Sequence, residues 1–141
     1  MKLSPKEARS EWVKALRSGE YKQTRGQLRQ GDAYCCLGVA CDLYGKHVLK
    51  EDAWKLYEAD SCKHYKEGIL SYTFLGQGGA LPRQVVKWLG LDEKRGTYAE
   101  LKKGLTLMQM NDDPEYKEGF NGIADVIEKG GLVLEEEEDN D

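Results

Sequence analysis

The sequence is poor in the residues that build common catalytic and metal sites. It has only two histidines among 141 residues, His47 and His64, so few positions can supply an imidazole base or ligand. No apolar run approaches the roughly 20 residues that a membrane-spanning helix requires, and Met1–Pro5 lacks the apolar core of a secretion signal. We therefore expect no membrane association and a cytoplasmic location.

The cysteines are few, and their spacing matches no common metal or redox motif. Three of the four lie in the segment Cys35–Cys41, and two of these are adjacent. A cytoplasmic location keeps thiols reduced, so the simplest interpretation is that all four are buried, reduced thiols. Gly76–Gly79 is not a P-loop either, because no Gly-Lys-Ser/Thr sequence follows it.

Basic residues are absent from the C-terminal end of the chain. Six acidic residues lie between positions 135 and 141, and removing them from the net charge of −4 leaves +2 for the rest of the protein. Like charges in a run repel, so we predict a single domain over residues 1–132 and a disordered acidic tail over 133–141. No predicted helix carries a dense basic stripe, so binding to duplex nucleic acid is not expected.

Glycine and proline residues divide the chain into short helices. Ser4 and Glu7 are placed to form a capping box at the start of the first helix, and Gly19 ends it. A second helix is predicted from about Cys35 to Tyr44 with Gly45 as the stop, and a third over residues 82–89. One or two short helices are predicted over residues 97–110. The last helix is predicted after Asp113-Pro114, which would cap it.

Strand signals are shorter and are concentrated in the first half of the chain. Residues 48–49, 54–57 and 69–74 are predicted strands, and residues 20–34 are predicted to be irregular or to form a short hairpin. The expected fold class is α+β: one compact domain with four or five short helices around a small antiparallel sheet or hairpin. The expected core aromatics are Trp12, Trp88 and Phe120.

Several motifs across residues 12–128 resemble small uncharacterised proteins found in bacteriophage and bacterial genomes. The motifs are Trp12-x2-Ala15-Leu16-x-Ser18-Gly19-x-Tyr21-x-Gln23-x2-Gly26-x-Leu28, Cys35-Cys36-Leu37-Gly38-Val39-x-Cys41, Leu81-Pro82-x2-Val85-x2-Trp88-Leu89-Gly90-Leu91, Met110-Asn111-Asp112 and Phe120-x2-Ile123-Ala124-Asp125-x-Ile127-Glu128. The resemblance implies a phage-type accessory protein in an infected or lysogenic bacterial host, and it implies no particular chemistry.

A cysteine nucleophile is one possible active centre. Cys35 or Cys36 would lie at a helix N-terminus, where the helix dipole favours a thiolate. The base would be His64, and the order Cys35, His64, Asn111 is that of papain-like enzymes. The alternative is that Cys36 packs as a small apolar residue, and we favour this interpretation.

Metal binding has two sets of candidate ligands. Zinc would use four of Cys35, Cys36, Cys41, Cys62 and His64, but adjacent helical residues point about 100° apart and the spacing is atypical. A divalent cation would use Asn111, Asp112 and Asp113 with Asp125 or Glu128. Helix capping by Asp113 together with a turn explains the second group without any function, and we favour this interpretation. We therefore assign no metal ligand and expect no cofactor.

The segment Tyr21–Arg29 is the best candidate for binding a phosphate-bearing ligand. Arg25 and Arg29 can bind a phosphate bidentately, Tyr21 can stack against a base, and Gln23 can read the edge of that base. The segment leads into the predicted helix N-terminus at Cys35, whose free amides suit an anion. An exposed turn with solvated charges remains the alternative.

Three functional hypotheses follow from these features. The first is a binding protein that sequesters a small nucleotide-like ligand, such as a host immune signal, without turnover. Tyr21, Gln23, Arg25 and Arg29 would line the site, with Asn111 and Asp112 contacting a ribose or base, and a homo-oligomer is expected. The second is a cysteine- or metal-dependent hydrolase. The third is a protein-binding inhibitor whose acidic tail mimics nucleic acid.

Overall fold

A computed structural model describes residues 2–56 and 70–135, and within them the chain forms five α-helices and a five-stranded sheet. The helices are α1 (Pro5–Arg17), α2 (Cys36–Tyr44), α3 (Arg83–Trp88), α4 (Leu107–Asp112) and α5 (Gly119–Glu128). The strands are β1 (Lys22–Gln23), β2 (Arg29–Gln30), β3 (Ala33–Tyr34), β4 (Trp54–Leu56) and β5 (Ser71–Phe74). The α+β class is confirmed.

Helix α1 begins and ends as predicted. The Ser4 hydroxyl accepts a hydrogen bond from the Glu7 backbone N–H at 3.1 Å, and the Glu7 carboxylate accepts one from the Ser4 N–H at 2.8 Å, which completes the capping box. Gly19 follows the helix with φ +81°. Trp12 on the buried face donates its indole N–H to the Cys36 carbonyl at 2.9 Å, which joins α1 to the start of α2.

The sheet is small and has the strand order β1-β3-β2-β5-β4. β2 and β3 form the short hairpin predicted for this region, and β2 also pairs with β5 so that Arg29 lies opposite Tyr72. β1 runs parallel to β3, whereas the other three strand pairs are antiparallel, so the predicted small antiparallel sheet carries one parallel neighbour. The segment that joins β1 to β3 contains β2, which pairs with β3 on its other side.

Helix α2 continues past the residue that was predicted to end it. A π-helical turn covers Gly45–Leu49 and ends at Lys50, which has φ 60° and donates its N–H to the Gly45 carbonyl at 2.7 Å. The predicted strand at residues 48–49 is therefore wrong. A side-chain carbon at Gly45 would lie 3.3 Å from the Glu51 carbonyl oxygen, so this glycine permits a close approach within a helix.

The two other predicted strands are confirmed apart from their ends, since residue 70 is described but precedes the strand. Residues 54–56 form β4 and residues 71–74 form β5, whereas positions 57 and 69, which were predicted as strand ends, lie outside the described residues. β4 and β5 pair antiparallel, with Trp54 opposite Phe74. This pairing places the Trp54 ring beside β2, where the candidate site lies.

Between α3 and α5 the chain is less helical than predicted. Helix α3 matches its prediction, but in the segment 97–110 only the residues from Leu107 onward are helical, and isolated bridges such as Leu101 to Leu132 fix the rest. Asp113 ends α4 and does not cap α5, whose preceding residue, Glu118, makes no side-chain capping hydrogen bond. The turn between the two helices separates Asp113 from the start of α5.

The core lies between the helices and one face of the sheet. Trp12 is fully buried as predicted, while Trp88 and Phe120 are partly buried and pack against the core. α2 lies so close to the chain before β2 that a side-chain carbon at Gly38 would overlap the Leu28 carbonyl oxygen. None of the helices in the described ranges is long and apolar enough to cross a membrane.

Candidate functional site

The three described cysteines lie inside the core at and after the start of α2. Cys35 precedes the helix, and its sulfur accepts a hydrogen bond from the Gly38 N–H at 3.4 Å. Cys35, Cys36 and Cys41 are all fully buried. Burial raises the pKa of the Cys35 thiol to about 12 and raises the pKa of Cys36 and Cys41 well above the usual value. The helix N-terminus therefore produces no thiolate here, because the cost of burying a charge outweighs the dipole.

The other residues considered for cysteine or zinc chemistry are not brought to these thiols. Cys62 and His64 lie outside the described residues. His47 is exposed in the π-helical turn, with its ring 6.1 Å from the Trp88 ring. Within residues 2–56 and 70–135, no three His, Cys, Asp or Glu side chains converge as a metal site requires.

The acidic residues of α5 are used to hold α1. Asp125 and Glu128 both accept hydrogen bonds from the Arg17 guanidinium, and the Glu128 contact is 2.9 Å long. The same contact lowers the pKa of Glu128. Because these carboxylates pair with Arg17, the described residues do not form the cation site that would have joined them to Asn111, Asp112 and Asp113.

Asn111 is a buried hydrogen-bonding centre that joins three parts of the fold. Its side-chain oxygen accepts from the Gln23 amide at 2.9 Å and from the Cys36 backbone N–H at 3.0 Å. Its side-chain nitrogen donates to the Thr24 carbonyl at 2.8 Å and to the Asp112 carboxylate at 3.0 Å. The side chain is completely buried, and these four bonds use its full hydrogen-bonding capacity. No polar atom of Asn111 is left for a ligand.

Asp112 binds the segment Tyr21–Arg29, which was predicted to bind a phosphate, at Gly26. The carboxylate oxygen that Asn111 contacts also accepts the Gly26 N–H at 2.9 Å. Gly26 has φ +85°, and the neighbouring Arg25 is exposed and makes no side-chain hydrogen bond or salt bridge to a described residue. Gln23, Asn111 and Asp112 are thus brought together as a clamp on the loop, while the Arg25 side chain is exposed.

Arg29 lies among three aromatic rings. Its guanidinium carbon is 4.2 Å from the ring centroid of Tyr72, 5.2 Å from that of Tyr34 and 5.5 Å from that of Trp54. Its Nε donates to the Gly31 carbonyl at 2.7 Å. Among the described residues no carboxylate pairs with Arg29, and its two terminal nitrogens make no hydrogen bond. These nitrogens are available to an anionic group.

Asp42 holds the neighbouring polar residues in place. Its carboxylate accepts from the Tyr21 hydroxyl at 2.6 Å and from the Trp54 indole N–H at 3.1 Å, and it forms a 3.3 Å salt bridge with Lys46. Burial, together with Asp42, raises the pKa of Tyr21 well above its usual value, so the phenol remains a hydrogen-bond donor. Tyr21 therefore supports the site through Asp42.

A cavity of about 700 Å³ opens beside these residues. Its wall combines the Arg29 guanidinium, the rings of Tyr34, Trp54 and Phe74, and the charged residues around the π-helical turn. The lining residues are Arg29, Tyr34, Asp42, Gly45, Lys46, Lys50, Glu51, Asp52, Ala53, Trp54 and Phe74. The size suits a nucleotide-sized molecule, and the cavity meets the usual pattern of aromatic walls with a few placed polar groups. We call this cavity the Arg29 pocket.

Arg29 was predicted as a ligand-binding residue, but most of the other residues that line its pocket were not. Tyr34, Asp42, Lys46 and Trp54 come from β3, α2, the π-helical turn and β4, and no local motif links them. The one available signal was the cluster of aromatic residues in the predicted strands, since aromatic side chains often pair across neighbouring strands.

Comparison with known families adds one result to this geometry. The model of a domain of unknown function, DUF8296, matches residues 4–130. The chain belongs to this family. No curated protein and no solved structure matches it. The family match spans α1 to α5, so the Asn111 clamp and the Arg29 pocket both lie inside the family domain.

Replacing Asn111 should destabilise the fold strongly. Asn111→Ala leaves the Cys36 N–H and the Thr24 carbonyl without partners in the core, and we expect the free energy of unfolding to fall by about 2–4 kcal/mol. Urea denaturation measures this change. Asn121→Ala is the matched control, because Asn121 is exposed on α5. Equal effects of the two substitutions would contradict the clamp.

The buried thiols should resist modification in the folded protein. In a Cys62→Ser variant, which leaves only the three described cysteines, we expect no reaction with a disulfide reagent at about pH 8. Full reaction of three thiols is expected after unfolding. A thiol that reacts quickly in the folded state would show that a cysteine is accessible and ionised, which would support the cysteine-hydrolase hypothesis.

Proposed function

We propose that this protein binds and sequesters a small nucleotide-like ligand, without turnover, in the Arg29 pocket. The observation that carries the proposal is the state of Arg29. This guanidinium is half-buried and has three aromatic rings around it, and among the described residues its terminal nitrogens have no hydrogen-bond or carboxylate partner. A guanidinium in this setting is less solvated than a surface arginine, so it binds an anion more strongly.

The pocket offers separate contacts for the two parts of a nucleotide. The terminal nitrogens of Arg29 can bind a phosphate in a fork, and Lys46 and Lys50 lie on the same wall. The partly buried rings of Tyr34 and Trp54 can stack against a base. These two kinds of contact support a ligand that carries both an anionic group and a flat ring.

The charged residues of the pocket indicate how many phosphates a ligand can carry. The pocket has three cationic residues and three acidic ones, and the Asp42 carboxylate is already paired with Lys46 and two neutral donors. Glu51 and Asp52 are exposed at the rim, where they can accept hydrogen bonds from the amino groups of a base. This arrangement favours a ligand with few phosphates and disfavours a long polyanion such as duplex nucleic acid.

The state of the described thiols supports the part of the proposal that excludes turnover by a cysteine. A cysteine hydrolase needs an accessible thiolate, and Cys35 and Cys36 are buried with raised pKa values. Arg29 and its aromatic neighbours provide charge and stacking surfaces for binding. We propose that the ligand is a host immune signal and that the setting is the cytoplasm of an infected or lysogenic bacterium, which rests on the resemblance to phage-encoded proteins.

The proposal is tested by comparing two arginines of the same segment. Arg29→Ala should weaken binding about 10- to 100-fold, because it removes charged hydrogen bonds to the ligand. Arg25→Ala is the matched control, because Arg25 is exposed and lies outside the pocket. Arg29→Lys should retain part of the affinity, since it keeps the charge and loses the fork. Thermal unfolding of each variant checks that the fold is intact.

The ligands for this test are a panel of linear, cyclic and ADP-ribose-type nucleotides. The protein is filtered off, the free nucleotide is assayed by chromatography, and the assay is repeated after the protein is heated. A nucleotide that is depleted and then returns intact supports sequestration. A new product would identify an enzyme, and a panel that stays free and unchanged would overturn the small-ligand proposal.

A further inference from the structure

A second and larger concavity is built from the C-terminal part of the family domain. It is formed by residues between 101 and 116, which include α4, and by Val126, Lys129 and Gly131 at and after the end of α5, and its volume is about 1010 Å³. Its floor is apolar, with Leu101, Leu105, Met108, Met110 and Val126. Leu105 is 54% exposed, which is unusual for a large apolar residue beside other apolar side chains. We call this surface the α4–α5 groove.

The charged residues of the α4–α5 groove are sorted by sign. Lys102, Lys103 and Lys129 lie at one end, where the Lys102 N–H donates to the Gly131 carbonyl at 2.9 Å and so brings residues 102–103 beside the end of α5. Asp112 and Asp113 lie at the other end, at the C-terminal end of α4, and the Asp112 carboxylate is already bound by Asn111 and the Gly26 N–H. Lys102 and Lys103 precede α4 and Asp113 follows it, and a helix of 6 residues is about 9 Å long, so the two ends of the groove are separated.

Within the described residues of one copy, the three lysines and Asp113 form no salt bridge. The Asp113 carboxylate accepts only the backbone N–H of Glu115, at 2.9 Å. The α4–α5 groove therefore has an apolar centre, a basic end and an acidic end, and both ends are free to pair with another molecule.

We propose that the α4–α5 groove is occupied by a second copy of this chain, related by a two-fold axis that passes through the groove. Such an axis exchanges the two ends, so the lysines of each copy face Asp113 of the other, and the apolar centres meet. A two-fold interface must be self-complementary, and a surface with one basic and one acidic end around an apolar centre has this property. The Arg29 pocket lies outside this interface.

The first test is the oligomeric state of the full chain by sedimentation velocity over a range of concentrations. We expect a dimer, and we expect Leu105→Glu to raise its dissociation constant at least tenfold because it places a charge in the apolar centre. Val48→Glu is the matched control, because Val48 is also exposed but lies in the π-helical turn. A wild-type chain that is monomeric throughout, or a Leu105→Glu variant that dimerises normally, would overturn the proposal.

A charge exchange tests the orientation of the two copies. Lys103→Glu alone and Asp113→Lys alone should each weaken the dimer, because each creates like-charge contacts across the axis. The variant that carries both substitutions should recover much of the wild-type affinity, since the new carboxylate of one copy would then face the new ammonium group of the other. If the double variant loses as much free energy of dimerisation as the two single variants lose together, the two-fold arrangement is overturned. The folded state of each variant is checked by thermal unfolding.

Discussion

The hydrogen bonds of Asn111 fix the arrangement on which the rest of the candidate site depends. This one buried amide connects α4 to Gln23 and Thr24 at β1 and to the backbone of Cys36 at the start of α2. A fully satisfied buried polar group favours one arrangement of its partners, because any other leaves a polar atom unpaired in the core. These bonds hold Gln23 and Thr24 against α4. The loop that leads from β1 into β2 and β3 therefore starts from a fixed position.

This constraint explains why two arginines four residues apart have different environments. Arg25 lies at the loop tip beside Gly26, whose N–H is held by Asp112, so its side chain extends into solvent. Arg29 is in β2, and the pairing of β2 with β5 places it opposite Tyr72. The same fold that leaves one guanidinium exposed surrounds the other with aromatic rings, and this difference concentrates the binding chemistry in the Arg29 pocket.

Features encoded by neighbouring residues were predictable from the sequence, and features created by distant pairing were not. The capping box of Ser4 and Glu7 is local and was predicted correctly. Gly45 has the local signature of a helix end, but the packing of Phe74 and the Glu51 backbone against it favours a continued helical turn. Arg29 was identified as a ligand-binding candidate, whereas its partners come from strands and turns far along the chain. Asn111 was considered as a ligand contact because its sequence context does not reveal burial.

The most direct test of the Arg29 pocket is a proton–nitrogen correlation spectrum of the three tryptophan indole groups during addition of each nucleotide. Trp54 lines the pocket and donates its indole N–H to Asp42, whereas the indole of Trp12 is buried against the Cys36 carbonyl. A Trp54→Phe variant assigns the signal. We expect a nucleotide that binds in the Arg29 pocket to shift the Trp54 signal and to leave the Trp12 signal in place. Binding that leaves the Trp54 signal unchanged would contradict it.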